Sequence, residues 1–111
     1  RYISWSGENR SQLIRIPAAE GEYRRIELRS PDPMCNPYLA FALLIRAGLD
    51  GVAKKLPLPA PADFNIYTAD DERVKSFAAL PSDHAEAKRI AAASAFAAEC
   101  LPHSIIENYT K

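Results

Sequence analysis

What this sequence has little of narrows it first. Its two cysteines, Cys35 and Cys100, have neither CxxC spacing nor a histidine beside them. That pattern argues against a zinc site, and both are expected to be free and buried as small hydrophobes. Neither charge is in excess, since 14 Lys and Arg balance 14 Asp and Glu. A neutral chain has no global field to draw in nucleic acid or an anionic membrane. No apolar run reaches the roughly 18 residues needed to span a bilayer. The two histidines, His84 and His103, are isolated, and they are read as surface residues rather than ligands. An initiator methionine is also missing: the chain opens on Arg1-Tyr2-Ile3-Ser4-Trp5 and is expected to be a piece of a longer protein. Its 111 residues suffice for one small domain.

What is present is organised around two short alternating stretches. Read as strands, 12–17 and 23–29 place successive side chains on opposite faces. Ile14, Ile16, Ile26 and Leu28 then share an apolar side, while Arg15, Arg25, Glu27 and Arg29 share the other, with Arg10 near its edge. The intervening loop contains Gly21, which can take the positive φ a turn requires. Alternating charge on a strand is commonly just a solvated face. Arginine at each cationic position favours a site instead, because guanidinium matches carboxylate and phosphate bidentately. Four cations around one carboxylate suit a ligand with several negative charges, and a metal.

Around this hairpin the elements follow in order. Residues 1–7 read as a strand whose partner lies upstream. Ser30-Pro31-Asp32-Pro33 stops the second hairpin strand, because proline cannot donate to a ladder. Asn36 and Pro37 open a helix to about Lys55, apolar nearly all round at its start and therefore expected to be buried. Arg46 and Asp50 lie four apart on it, and Gly48 and Gly51 suggest close packing. A proline- and alanine-rich connector leads to a short helix capped by Thr68 with Asp71. Ser82 or Asp83 caps a second long helix, Ala85 to Cys100, and a last one spans Ser104 to Tyr109. The fold class is expected to be α+β: an antiparallel β-hairpin packed on a buried helix, followed by a helical C-terminal portion. Residues 1–59 hold the hairpin and helix; 60–111 form the connector and helical region of the same domain.

Several ordered motifs carry a family resemblance. They are Asn9-Arg10-Ser11, Ile14-Arg15-Ile16-Pro17, Arg25-Ile26-Glu27-Leu28-Arg29-Ser30-Pro31-Asp32-Pro33 and Asn36-Pro37-Tyr38-Leu39. Ala47-Gly48-Leu49-Asp50-Gly51 and Asn65-Ile66-Tyr67 continue the series. Together they resemble the C-terminal part of the catalytic domain of class I bacterial glutamine synthetase. The resemblance implies an ATP-dependent ligase that joins ammonia to glutamate through a γ-glutamyl phosphate. It further implies Mg2+ or Mn2+, a cytoplasmic homo-oligomeric ring, and no nucleic-acid or membrane partner.

Carried over position by position, Arg10 resembles the arginine that reaches both glutamate and the transferring phosphate. Arg15 resembles the one on the ATP phosphates, Arg29 the one on the glutamate carboxylate, and Glu27 a metal ligand. Arg25 is placed in the nucleotide region. Where some members carry a nucleotide-contacting lysine, this chain has Glu22. Tyr67 sits where some bacterial members are adenylylated, although members without that modification keep a tyrosine there too. The remaining metal ligands and the base are implied to lie upstream, so the isolated chain is expected to be inactive. Two alternatives stand beside this reading: a glutamine-synthetase-like γ-glutamylpolyamine ligase, and a non-enzymatic anion-binding or oligomerisation module.

Overall fold

Strand β2 (Ile14–Ile16) is the centre of a three-stranded sheet in the computed structural model, which describes residues 2–111. On one side it pairs antiparallel with β3 (Glu27–Leu28), placing Ile14 opposite Leu28 and Arg15 opposite Glu27. This is the expected hairpin. Its connection contains a 3-10 turn, Gly21–Tyr23, and Gly21 takes the positive φ, +58°.

On its other side β2 pairs with β1 (Trp5–Gly7), and that pairing is parallel: Trp5 with Ile14, Ser6 with Arg15 and Gly7 with Ile16. The first strand therefore finds its partner within the chain, where the alternation suggested one upstream. Parallel neighbours normally need a long crossover. Here a short loop returns the chain, helped by Glu8 in the left-handed region at φ 64°. Asn9 supports it too, its side-chain oxygen accepting from the Ser11 N–H at 2.9 Å.

Packing divides the chain into two units, 1–32 with 58–80 and 33–57 with 81–111. The first unit holds the sheet and the short helix α2 (Asp71–Val74). Its interior contains Leu13, Ala62 and Val74, but also the polar side chains of Ser4, Ser6 and Gln12. The Phe64 and Phe77 rings pack at a 54° tilt with centroids 6.2 Å apart, and the Arg73 guanidinium lies over the Phe64 ring at 5.7 Å. Helix α2 is capped by Asp70, which accepts from the Arg73 N–H at 2.9 Å. Thr68, the expected cap, instead directs its hydroxyl to the Asn65 carbonyl within a turn.

The second unit is helical: α1 (Pro37–Ala53), α3 (His84–Ala93), α4 (Ala95–Cys100) and α5 (His103–Thr110). Helix α4 packs against both α1 and α5, and α3 against α5. Asn36 caps α1 as its spacing predicts, accepting from the Tyr38 and Leu39 N–H groups. Asp83 caps α3, accepting from the Glu86 N–H, while the Glu86 carboxylate reaches back to Ser82. The long helix expected from Ala85 to Cys100 is broken at Ser94, which is extended (ψ 111°) and caps α4 through the Ala97 N–H. A serine that can bond its neighbouring backbone competes with helix continuation, and here it wins.

Helix α1 has no buried residue in this chain, contrary to the expectation from its composition: Tyr38, Phe41, Ile45, Leu49 and Val52 are all exposed. Nor does anything described lie within 4 Å of a Cβ built on Gly48 or Gly51, so no close packing occurs there. Asp50 pairs with Lys54 at 2.8 Å rather than with Arg46. Both cysteines are free, but Cys35 is exposed and Cys100 half-buried. His84 and His103 are exposed, as expected.

Candidate anion-binding face of the hairpin

Because β2 is flanked on both sides, Arg15 is held at the middle of the sheet, its side chain only 12% exposed. Its Nη1 donates to both carboxylate oxygens of Glu27, directly across the ladder, at 2.9 Å each. The Nε donates to the Glu8 carbonyl at 3.0 Å, and Nη2 lies 3.6 Å from the Glu8 carboxylate. That carboxylate in turn accepts from the Ala18 N–H. Arg25, two residues before Glu27 and on the same face, brings Nη2 to 3.6 Å from Glu27 Oε1. Arg29 follows two residues after, its N–H bonded to the Leu13 carbonyl at 2.9 Å, which extends the ladder.

These neighbours fix the charge state of Glu27. The hydrogen bond from Arg15 holds its carboxyl below the usual 4.5, partial burial opposes this, and the charges of Arg15, Arg25 and Arg29 add to the lowering. At neutral pH the face carries an ionised carboxylate among three guanidiniums.

The structure thus brings Arg15, Arg25, Glu27 and Arg29 together as the alternation predicts. Arg10 is not part of that cluster. It lies on the loop between β1 and β2, exposed, and its side chain has no hydrogen-bond or ion-pair partner among the described residues. Glu8 is the participant that sequence reasoning missed. It reaches Arg15 through the β1–β2 return, which leaves no periodic signal. Beside the cluster, an open hollow of about 480 Å³ is lined by Arg24, Arg25, Ile16, Pro17, Ala19 and Ile26. The apolar face opposite holds a groove of about 310 Å³ whose lining includes Ile3, Trp5, Ile14, Ile26 and Leu58.

Among the described residues no group of three or more His, Cys, Asp or Glu is placed to hold a metal ion. Glu27 has the right chemistry, an ionised oxygen donor for a hard cation. Both its oxygens are shared with Arg15, however, and three guanidiniums repel a cation.

A strand pair that gathers three arginines about one carboxylate has the donor set to meet an anionic ligand. The particular family follows from comparison: the model for "Glutamine synthetase, catalytic domain" matches residues 1–111, and the chain belongs to that family. The glutamine synthetase of Methanosarcina mazei is 49% identical over 110 residues, covering 97% of this chain and 25% of the relative. That of Methanocaldococcus jannaschii is 43% identical over 109 residues, 96% of this chain and 24% of the relative. The Thermotoga maritima glutamine synthetase reaches 60% over 72 residues, 65% of this chain and 16% of the relative. The chain therefore spans about a quarter of the length of the first two relatives.

Proposed function

We propose that this chain forms one wall of the active site of an ATP-dependent glutamate–ammonia ligase. The observation that carries this reading is the Arg15–Glu27 cross-strand pair, flanked on the same face by Arg25 and Arg29. In the reaction, a glutamate γ-carboxylate oxygen attacks the terminal phosphorus of ATP and ADP departs. Ammonia then attacks the acyl carbon of the γ-glutamyl phosphate, loses a proton, and expels phosphate. Both steps concentrate negative charge, so preorganised cations are the chief catalytic device.

Arg15 and Arg25 face the nucleotide phosphates, Arg29 binds the glutamate carboxylate, and Arg10 reaches glutamate and the phosphate in transfer. Glu27 supplies one oxygen ligand to Mg2+ or Mn2+; a bound cation of that type neutralises phosphate charge. The other ligands come from parts of the protein outside this chain, in a cytoplasmic homo-oligomer. On this reading the isolated chain is inactive. The residues 1–59 and 60–111 serve as hairpin-and-helix and connector-and-helical portions of one domain.

The test is to incubate the full-length protein with glutamate, ATP and Mg2+, offering ammonia or a polyamine as nucleophile. The expected result is glutamine with one phosphate released per turnover. Coupling only to the polyamine would favour a γ-glutamylpolyamine ligase, and turnover with neither would leave a non-enzymatic anion-binding module.

A further inference from the structure

The loop that carries Arg10 is bound on either side of it to a single point of the chain. The Asn9 Nδ2 donates to the Phe64 carbonyl at 2.8 Å, and the Gln12 Nε2 donates to the same oxygen at 2.7 Å. Ser11 lies between them: its hydroxyl accepts from the Ile66 N–H at 3.1 Å, and its N–H donates to Asn9 Oδ1 at 2.9 Å. Gln12 is 1% exposed, and its Oε1 accepts from the Ser4 hydroxyl at 2.5 Å. An apolar side chain would satisfy burial at position 12 without needing partners, so a buried amide there serves the bonds it makes. The 62–66 segment is itself fixed to the sheet, with the Ala62 N–H on the Trp5 carbonyl at 2.8 Å and the Ser6 hydroxyl on Asp63 at 2.5 Å.

We propose that Asn9, Ser11 and Gln12 are positioning residues for Arg10: together with the Phe64 carbonyl they lock its backbone while leaving its guanidinium free to meet the substrate. This rests on the role given to Arg10 above. The backbone on both sides is held by hydrogen bonds, and among the described residues the side chain between has no partner to release. Such preorganisation lowers the cost of placing a cation against a developing charge.

A double-mutant cycle in the full-length enzyme tests it. Gln12→Met keeps the shape and removes the side chain's hydrogen bonds to the Phe64 carbonyl, the Ser11 hydroxyl and the Ser4 hydroxyl. It is expected to lower kcat/KM for glutamate about 10- to 100-fold. In an Arg10→Ala background the same change should cost about twofold at most, because its effect passes through Arg10. Equal losses in both backgrounds would show a general structural role and overturn the proposal. Ser11→Ala provides a second, gentler variant, and Ser11→Thr, which retains the hydroxyl, should restore the rate. Independently of activity, amide exchange at residues 9–13 should speed up about tenfold or more in Gln12→Met as local opening becomes easier. Unchanged exchange would also overturn it. Full activity in Arg10→Ala itself would instead remove the role assigned to Arg10, and the exchange measurement then decides the anchoring alone.

Discussion

Replacing Glu27 by glutamine separates two roles that the same geometry permits. Arg15 Nη1 touches both carboxylate oxygens at 2.9 Å, and glutamine retains one acceptor in the same place while turning the other oxygen into a donor. One of the two hydrogen bonds survives, so the hairpin should keep its register. The charge does not survive. If Glu27 only balances the arginines, the face becomes more cationic by one unit. A unit charge about 6 Å from a phosphate in water then strengthens nucleotide binding by about threefold. If Glu27 is a metal ligand, the outcome reverses. Turnover should fall about 100-fold or more, and the Mg2+ or Mn2+ concentration needed for half-maximal rate should rise. The assay is glutamine formation by the full-length protein, with each cation titrated against parent and variant. Near-normal turnover with an unchanged metal requirement would refute the ligand assignment.

Further expectations can be checked on the chain itself. Glu27 is held below 4.5, so its contribution to stability is present above that value and disappears as pH falls through the lower folded value. Arg15→Met removes the main cause and should move the acid transition, followed by Trp5 fluorescence, upward; an unmoved midpoint would contradict this. Asp83→Ala removes the α3 cap and should cost about 1 kcal/mol in urea unfolding. Gly48→Ala meets nothing within 4 Å and should gain up to about 1 kcal/mol in the isolated chain by helix propensity. A loss from the same change in the full-length protein would reveal a neighbour packed against that helix. The exposed apolar face of α1 should make the isolated chain bind a hydrophobic dye and self-associate. Ile45→Glu should reduce both, and a monomer that binds no dye would count against it.

The hairpin was legible because alternation is a strong signal where one face is charged and the other aliphatic. Parity alone puts Arg15 and Glu27 on one face, while their direct pairing is a matter of register that the structure shows; Asn36-Pro37 marks a helix start by chemistry that owes nothing to distant contacts. What escaped depends on tertiary partners. The β1–β2 pairing needs Glu8 in a left-handed conformation, which no residue preference announces, and Glu8's contact with Arg15 follows from that pairing. The break at Ser94 turns on a local competition in which an alanine-rich context favours the helix and one hydroxyl opposes it. Burial of α1 was read from composition, and composition describes what a helix prefers to touch, not what stands beside it.

Flanking β2 on both edges has a consequence for how the molecule can change over time. A strand paired on one side only can slip, but here a shift of one residue would break a parallel and an antiparallel ladder together. It would also turn Arg15 into the aliphatic groove and bring Ile14 or Ile16 to the charged face. The sheet is built from neighbours along the chain, whereas Trp5 is tied to the Pro59 carbonyl and Gln12 to that of Phe64 across 54 and 52 residues. Longer loops cost more entropy to shut. The charged ladder thus closes only short loops, and the tie that holds the loop bearing Arg10 closes a much longer one.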